Sequence, residues 1–256
     1  MAITISVGIQ KGGCGKSTTA GILTYLLSQK YKVLAVDMDG QGNLTQLITG
    51  VDDIFEFGDN QIHSAISTFN AVPFITKVND RIDVLAGSEQ INMLHKFMYR
   101  EYYPRDHNQL LNIALNTVRD KYDFIVIDMP PALGEITYNC LAATDYIIPM
   151  FETSKFCYSS LSNFFEAIDH VRENVNPNLK VAGIVRTMLD KRRSDNKYYS
   201  DKVGETYGDR CFKTVLSRTA VVGRLPAYGL LNNPEINQVI KQYNPLFKEL
   251  MKIVNI

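Results

Sequence analysis

Lys11-Gly12-Gly13-Cys14-Gly15-Lys16-Ser17-Thr18 stands between a strand-like run, residues 3–9, and a segment of helical length and period, residues 16–29. A glycine-rich turn leading from a strand into a helix is the arrangement in which backbone N–H groups and a helix N-terminus cradle phosphates. Its glycines carry no Cβ and let the backbone approach such a ligand closely. In that setting Lys16 reaches the outer phosphates, Ser17 offers its hydroxyl to Mg²⁺ and Thr18 bonds a phosphate oxygen. The strict spacing G-x-x-x-x-G-K-[ST] nevertheless fails at its first position, where Gln10 stands, and a second lysine, Lys11, precedes the Gly-Gly pair.

Working outward, short apolar, β-branched runs recur at residues 32–38, 82–86, 124–129, 146–150, 181–187 and 212–216. Segments of helical period separate most of them, among them 109–121 and 159–174. The alternation predicts an α/β fold: a doubly wound, mostly parallel sheet flanked by helices. Residues 50–78 mix Gly58, Pro73 and several Asp and Asn with isolated aromatics, and read as an irregular insertion. No linker or repeat divides the chain, so residues 1–256 are expected to form a single domain, with no N-terminal DNA-reading domain because the phosphate loop begins so early.

Composition narrows the classes. Lys and Arg total 27 against 27 Asp and Glu, so attraction to nucleic acid has to come from local clusters rather than the net charge. The four cysteines, Cys14, Cys140, Cys157 and Cys211, lack C-x-x-C spacing, which argues against a zinc site or a disulfide framework and fits a reducing cytosol. The four histidines, His63, His95, His107 and His170, have no ligand spacing and read as surface or packing residues. No signal peptide and no apolar run of about 20 residues is visible, so a soluble, cytoplasmic protein is expected.

Phosphoryl transfer leaves a protein the tasks of positioning and charge stabilisation, so acids are expected at the C-terminal ends of strands beside the phosphate loop. Asp37 and Asp39 close the run 32–38, and Asp128 ends 124–127 ahead of Met129-Pro130-Pro131. Each of them could instead merely end a strand and begin a turn.

The form K-G-G-x-G-K-[ST] resembles the deviant Walker A motif of the ParA/MinD superfamily of P-loop NTPases. Asp37-Met38-Asp39-Gly40-Gln41-Gly42-Asn43 resembles that family's D-x-D-P-Q-G-N, and Asp128-Met129-Pro130-Pro131 its D-T-P-P, with Gly40 and Met129 as departures. Residues 183–190 resemble its G-x-x-x-T-x-x-D strand exit, and residues 212–229 a Soj-type ending in which Ser217 replaces proline and Arg224 replaces glutamate. The resemblance covers nearly the whole chain.

It implies ATP and Mg²⁺ as cofactors, held by Lys11, Gly12, Gly13, Cys14, Gly15, Lys16, Ser17 and Thr18. Catalytic roles fall to Lys11, which crosses a dimer interface to the partner's nucleotide, to Lys16, and to Asp39, which orients the attacking water. Ser17, Asp37 and Asp128 are implied at the metal, Asp128 through a water. Pro226 and Met188 are candidates for adenine contacts, with loop structure and core packing as their bland alternatives.

Lys191, Arg192, Arg193, Arg218 and Arg224 are candidate DNA contacts. Asp190, Asp195 and Asp201 are interspersed among the first of these, so that stretch reads equally as a solvated helix face. The function implied is that of a partition ATPase: a homodimer forms with ATP and binds DNA non-specifically, close to the nucleoid. A ParB-like centromere-binding protein then stimulates an otherwise slow hydrolysis.

Two alternatives remain. A MinD-like membrane-cycling ATPase would use the apolar face of residues 245–256 as a lipid anchor. A nitrogenase-reductase-like electron carrier would need Cys140 and Cys157 as cluster ligands, and neither follows Asp128 in a Cys-Gly-Gly context.

Overall fold

The computed structural model describes residues 1–94, 96, 107–190 and 192–255. Among them, nine strands form one sheet in the order β3-β4-β2-β5-β1-β6-β8-β9, with β7 also paired to β6. The strands are β1 (Ile3–Gly8), β2 (Val33–Asp37), β3 (Thr76–Lys77), β4 (Ile82–Leu85), β5 (Phe124–Asp128), β6 (Tyr146–Glu152), β7 (Lys180–Val181), β8 (Ile184–Leu189) and β9 (Cys211–Ser217). Only the β3–β4 pairing is antiparallel. Every residue of β2 and β5 is buried, which is why these strands read as unbroken apolar runs rather than as alternating ones.

Helices cover the sheet. Helix α1 (Lys16–Ser28) starts at Gly15 and buries Ala20, Ile22, Leu23 and Leu27. Helix Lys155–Asn174 begins where the Ser154 hydroxyl accepts from the Cys157 N–H, a side-chain cap of the kind that starts helices. Helix Ile236–Ile253, longer than the stretch from 245 suggested and running through Pro245, buries Val239, Tyr243, Leu246 and Leu250. Its Glu249 carboxylate accepts from the Lys213 N–H at 2.7 Å and from the Thr214 N–H at 3.0 Å, pinning the helix to β9.

The fold departs from the sequence expectation at three places. The expected strand 181–187 is two strands, because Gly183 at φ +154° breaks it against the Phe212 ring, 3.0 Å from where a Cβ would stand. The helix expected over 109–121 is shorter, Leu110–Asn116, with a 3₁₀ turn on either side. Residues 50–78 are more ordered than expected: a 3₁₀ turn at Ile54–Phe57, helix Ile62–Ser67 and β3. Ile62, Ala65 and Ile66 pack into the core, but so short an amphipathic segment leaves little periodic signal.

Candidate functional site

Parallel pairing brings the predicted groups together. β5 lies between β1 and β2, with Val7 and Asp37 both opposite Asp128, so the loops that leave these strands converge at one end of the sheet. The phosphate loop leaves β1 there, with Gly13 at φ +74° and Gly15 at φ +76°. Side-chain-bearing residues rarely adopt that conformation, which explains the glycines. Residues 12–18, Asp39, Met188 and Pro226 line one cleft of about 440 Å³. Met188 itself has φ +58°, an uncommon backbone for methionine, and its methyl packs beside Gly15.

Lys16 is buried and its ammonium donates to the Lys11 carbonyl at 2.9 Å, folded back onto the loop it would serve. Asp37 is fully buried and fully engaged. Its Oδ2 accepts from the Thr45 N–H and hydroxyl, both at 2.8 Å, and its Oδ1 from the Asp39 N–H at 3.2 Å. Burial pushes its carboxyl up to about 6 against the pull of these donors. The metal role expected of Asp37 therefore meets a carboxylate already committed to holding the loop that carries Asp39. Gly87 completes this strut: its N–H donates to the Thr45 hydroxyl at 2.8 Å, and a Cβ there would lie 3.0 Å from the Asp37 carboxyl carbon.

Asp128 is the opposite case. It is buried, and neither carboxylate oxygen has a hydrogen-bond partner among the described residues. Burial, then the adjacent Asp37 charge, hold its carboxyl well above the usual range, while the nearby Ser17 hydroxyl and Lys16 ammonium pull the other way. An unpartnered buried carboxylate beside a second one is costly. A divalent cation held by Ser17 and Asp128 would relieve that cost, so the residues present fit Mg²⁺. Asp39 sits at the rim of the cleft, with Oδ1 accepting from the Gln41 N–H at 3.1 Å.

Lys11 turns away from this cleft. Its ammonium donates to Glu152 and, at 3.0 Å, to the Ser154 hydroxyl. The register explains the meeting: β1 and β6 run parallel with Gly8 opposite Pro149, so residues 9–11 travel beside 150–152. Partial burial lowers the Lys11 pKa, but the hydrogen bond and charge of Glu152 outweigh it and hold the pKa above its ordinary value.

The candidate DNA contacts divide. Arg192 pairs with Asp190 at 2.8 Å, Arg193 with Asp195 at 2.6 Å and Arg224 with Glu235 at 2.6 Å. Exposed pairs of this kind are worth about 0–1 kcal/mol, so they weaken the local positive field without locking the side chains. Arg218 is exposed, has no ion-pair partner among the described residues, and shares a cleft of about 250 Å³ with Lys11 and Glu152. Lys191 lies outside the described residues, as does His95.

Glu152, Ser154 and Thr45 escaped the sequence reading, as did Gln46, which lines the nucleotide-sized cleft beside Asn43 of the quoted motif. Glu152 and Ser154 carried no motif signal, because only the β1–β6 pairing brings them to Lys11.

Residues 2–181 match the family described as "AAA domain". The chain is 32% identical over 263 aligned residues to the chromosome partitioning protein ParA of Myxococcus xanthus, covering 97% of this chain and 87% of that protein. Among solved structures, it resembles a plasmid partition protein from Borrelia burgdorferi at 25% identity and TM-score 0.75, over 98% of both chains. It also shares the fold of a single-residue variant of Cyanothece McdA in complex with ATP, at 19% identity and TM-score 0.81, over 100% of this chain and 97% of that one.

Proposed function

The chain belongs to the AAA-domain family in its ParA-like branch, and from that premise we propose that it is a MgATP-dependent partition ATPase acting as a homodimer on DNA. One observation carries the reading: a phosphate-loop cleft and an orphaned Asp128 carboxylate meet at the same strand ends as a second loop lysine held outside that cleft. Residues 12–18 hold the phosphates, and Ser17 and Asp128 hold Mg²⁺, which supplies charge neutralisation when bound. Asp39 positions water, Asp37 braces the Asp39 loop through Thr45, and Met188 and Pro226 flank the base.

In this chain alone Lys11 is bonded to Glu152 and Ser154, so the charge it would contribute to catalysis is spent elsewhere. That supports slow hydrolysis until a second copy, and then a ParB-like stimulator, rearranges the loop. Lys11→Ala is expected to leave ATP binding by the monomer within about threefold while lowering the ATP-driven dimer fraction in analytical ultracentrifugation by tenfold or more, the scale of one charge-assisted hydrogen bond. Normal dimers in that variant would remove the role given to Lys11.

For DNA, Arg218 is the cation best placed, because it has no ion-pair partner among the described residues and shares the Lys11 face. Binding to non-specific duplex is measured with ATP, with ADP and without nucleotide at several salt concentrations. Tight binding only with ATP supports the reading. Each lost phosphate contact reduces the log–log salt slope by about 0.9, so Arg218→Glu is expected to flatten it by about 2 in a dimer. No DNA binding in any nucleotide state would move the cargo to a protein or a membrane. The membrane alternative would need the apolar face of the C-terminal helix, and Leu246 and Leu250 of that face are buried in the core.

A further inference from the structure

Met188 is a strained residue at the edge of the nucleotide-sized cleft. Its left-handed backbone, φ +58°, is unfavourable for a residue with a Cβ and persists only where the surroundings over-determine it. It lines both the phosphate-loop cleft and the smaller cleft that holds Lys11 and Arg218, so it stands between the two. On the loop side its methyl lies 3.3 Å from where a Cβ on Gly15 would stand.

The pairing of β8 with β9 slips between Arg186 and Leu189, which leaves Met188 outside a regular ladder. Hydrogen bonds on both sides fix the chain around it. The Thr153 N–H donates to the Thr187 carbonyl at 3.2 Å, the Arg218 N–H to the Leu189 carbonyl at 3.0 Å, and the Asp190 N–H to Asn196 Oδ1 at 3.2 Å. The first two are backbone contacts; the last depends on a side chain. Asn196 is buried in the first turn of helix Ser194–Tyr207, and the other end of its amide donates to the Thr153 carbonyl at 2.7 Å. Thr153 stands between Glu152 and Ser154, the two residues that hold Lys11.

We propose that Asn196 is a positioning residue of the nucleotide site: its amide ties the chain after Met188 to the segment that holds Lys11, and so keeps the Met188 side chain against the phosphate loop. This rests on that loop being the ATP site.

The chemistry suits an amide. One side chain has to accept from an N–H and donate to a carbonyl at once, which a carboxamide does and neither a carboxylate nor a hydrocarbon can. Without it the Asp190 N–H and the Thr153 carbonyl lose this partner, and Met188 is released toward the backbone conformations that side-chain-bearing residues favour. Its methyl then leaves Gly15, and the cleft loses the side on which the nucleotide rests against β8.

The test uses the full chain. Affinity for a fluorescent ATP analogue should fall roughly tenfold in Asn196→Ala, the scale of one hydrogen bond. It should fall in the nearly isosteric Asn196→Asp too, which keeps the acceptor and loses the donor. Met188→Gly adopts the left-handed backbone unaided and has no side chain to position. In that background Asn196→Ala should cost less than about twofold further, because the two residues act through one contact. A second readout needs no nucleotide. With isotope-labelled methionine methyl groups, the Met188 resonance, assigned by Met188→Leu, should shift in Asn196→Ala while those of methionines remote from the cleft stay in place. Should Asn196→Ala not fold, Asn196→Asp carries both readouts. Unchanged affinity in the Asn196 variants, an equal loss in the Met188→Gly background, or an unmoved Met188 signal overturns the proposal. If the wild-type chain does not bind the analogue, the ATP reading fails, and the Met188 signal still decides for or against the clamp.

Discussion

Asp39→Ala is expected to lower ATP turnover by roughly 10²–10⁴-fold, the contribution typical of a positioned acid–base group, while ATP affinity stays within about threefold. The physical ground is its placement. The Asp39 carboxylate stands at the rim of the phosphate-loop cleft on a loop braced from below, since its N–H donates to Asp37 and its Oδ1 accepts from Gln41. Losing the side chain leaves that brace largely intact, because the donor to Asp37 is backbone. Nucleotide-bound protein should therefore accumulate, read as ATP retained after gel filtration. Undiminished turnover in the variant would remove Asp39 from the reaction.

Asp128→Asn is expected to separate stability from function. In the metal-free chain, Asp128 is a buried carboxylate beside Asp37, with no hydrogen-bond partner among the described residues. Removing its charge relieves on the order of 1–3 kcal/mol, and each kcal/mol is worth about 2–4 °C in Tm for a chain of this size. The variant should thus melt several degrees above the wild-type protein without Mg²⁺. It should also lose the stabilisation that Mg²⁺ with nucleotide gives the wild type, and its turnover should fall roughly a hundredfold. A lower metal-free Tm, or an undiminished response to Mg²⁺, would show that Asp128 has another partner and is not the metal residue.

The two aspartates also show how far the motif reading reached. Both were found from their position at strand ends, yet position alone treated Asp37 and Asp128 alike. Hydrogen bonding separates them: Thr45 and Asp39 consume both oxygens of Asp37, and nothing among the described residues consumes those of Asp128. Thr45 lies eight residues beyond Asp37, and Gly87 reaches the same hydroxyl from another loop. Neither contact leaves a trace in local pattern.

The cations repeat the lesson at the surface. A count of Lys and Arg treats Arg192, Arg193, Arg218 and Arg224 as one basic class. Three of them neutralise carboxylates, two at acids two residues away and one at Glu235, which the turn after Tyr228 brings back to Arg224.

Residues 11–18, the apolar runs that became β1, β2 and β5, and the acids that end the latter two were legible from the chain alone. They depend on short-range physics: glycines where the backbone turns left-handed, β-branched runs where both sheet faces are covered, and polar residues where a strand stops. What only the tertiary structure decided are the partners met across the fold: Lys11 with Glu152 and Ser154, Asp37 with Thr45, Thr45 with Gly87, and the C-terminal helix with β9. Strand order and register bring these groups together, and both follow from how the whole core packs. Residues about 140 positions apart therefore become neighbours through contacts that no single stretch of the chain contains.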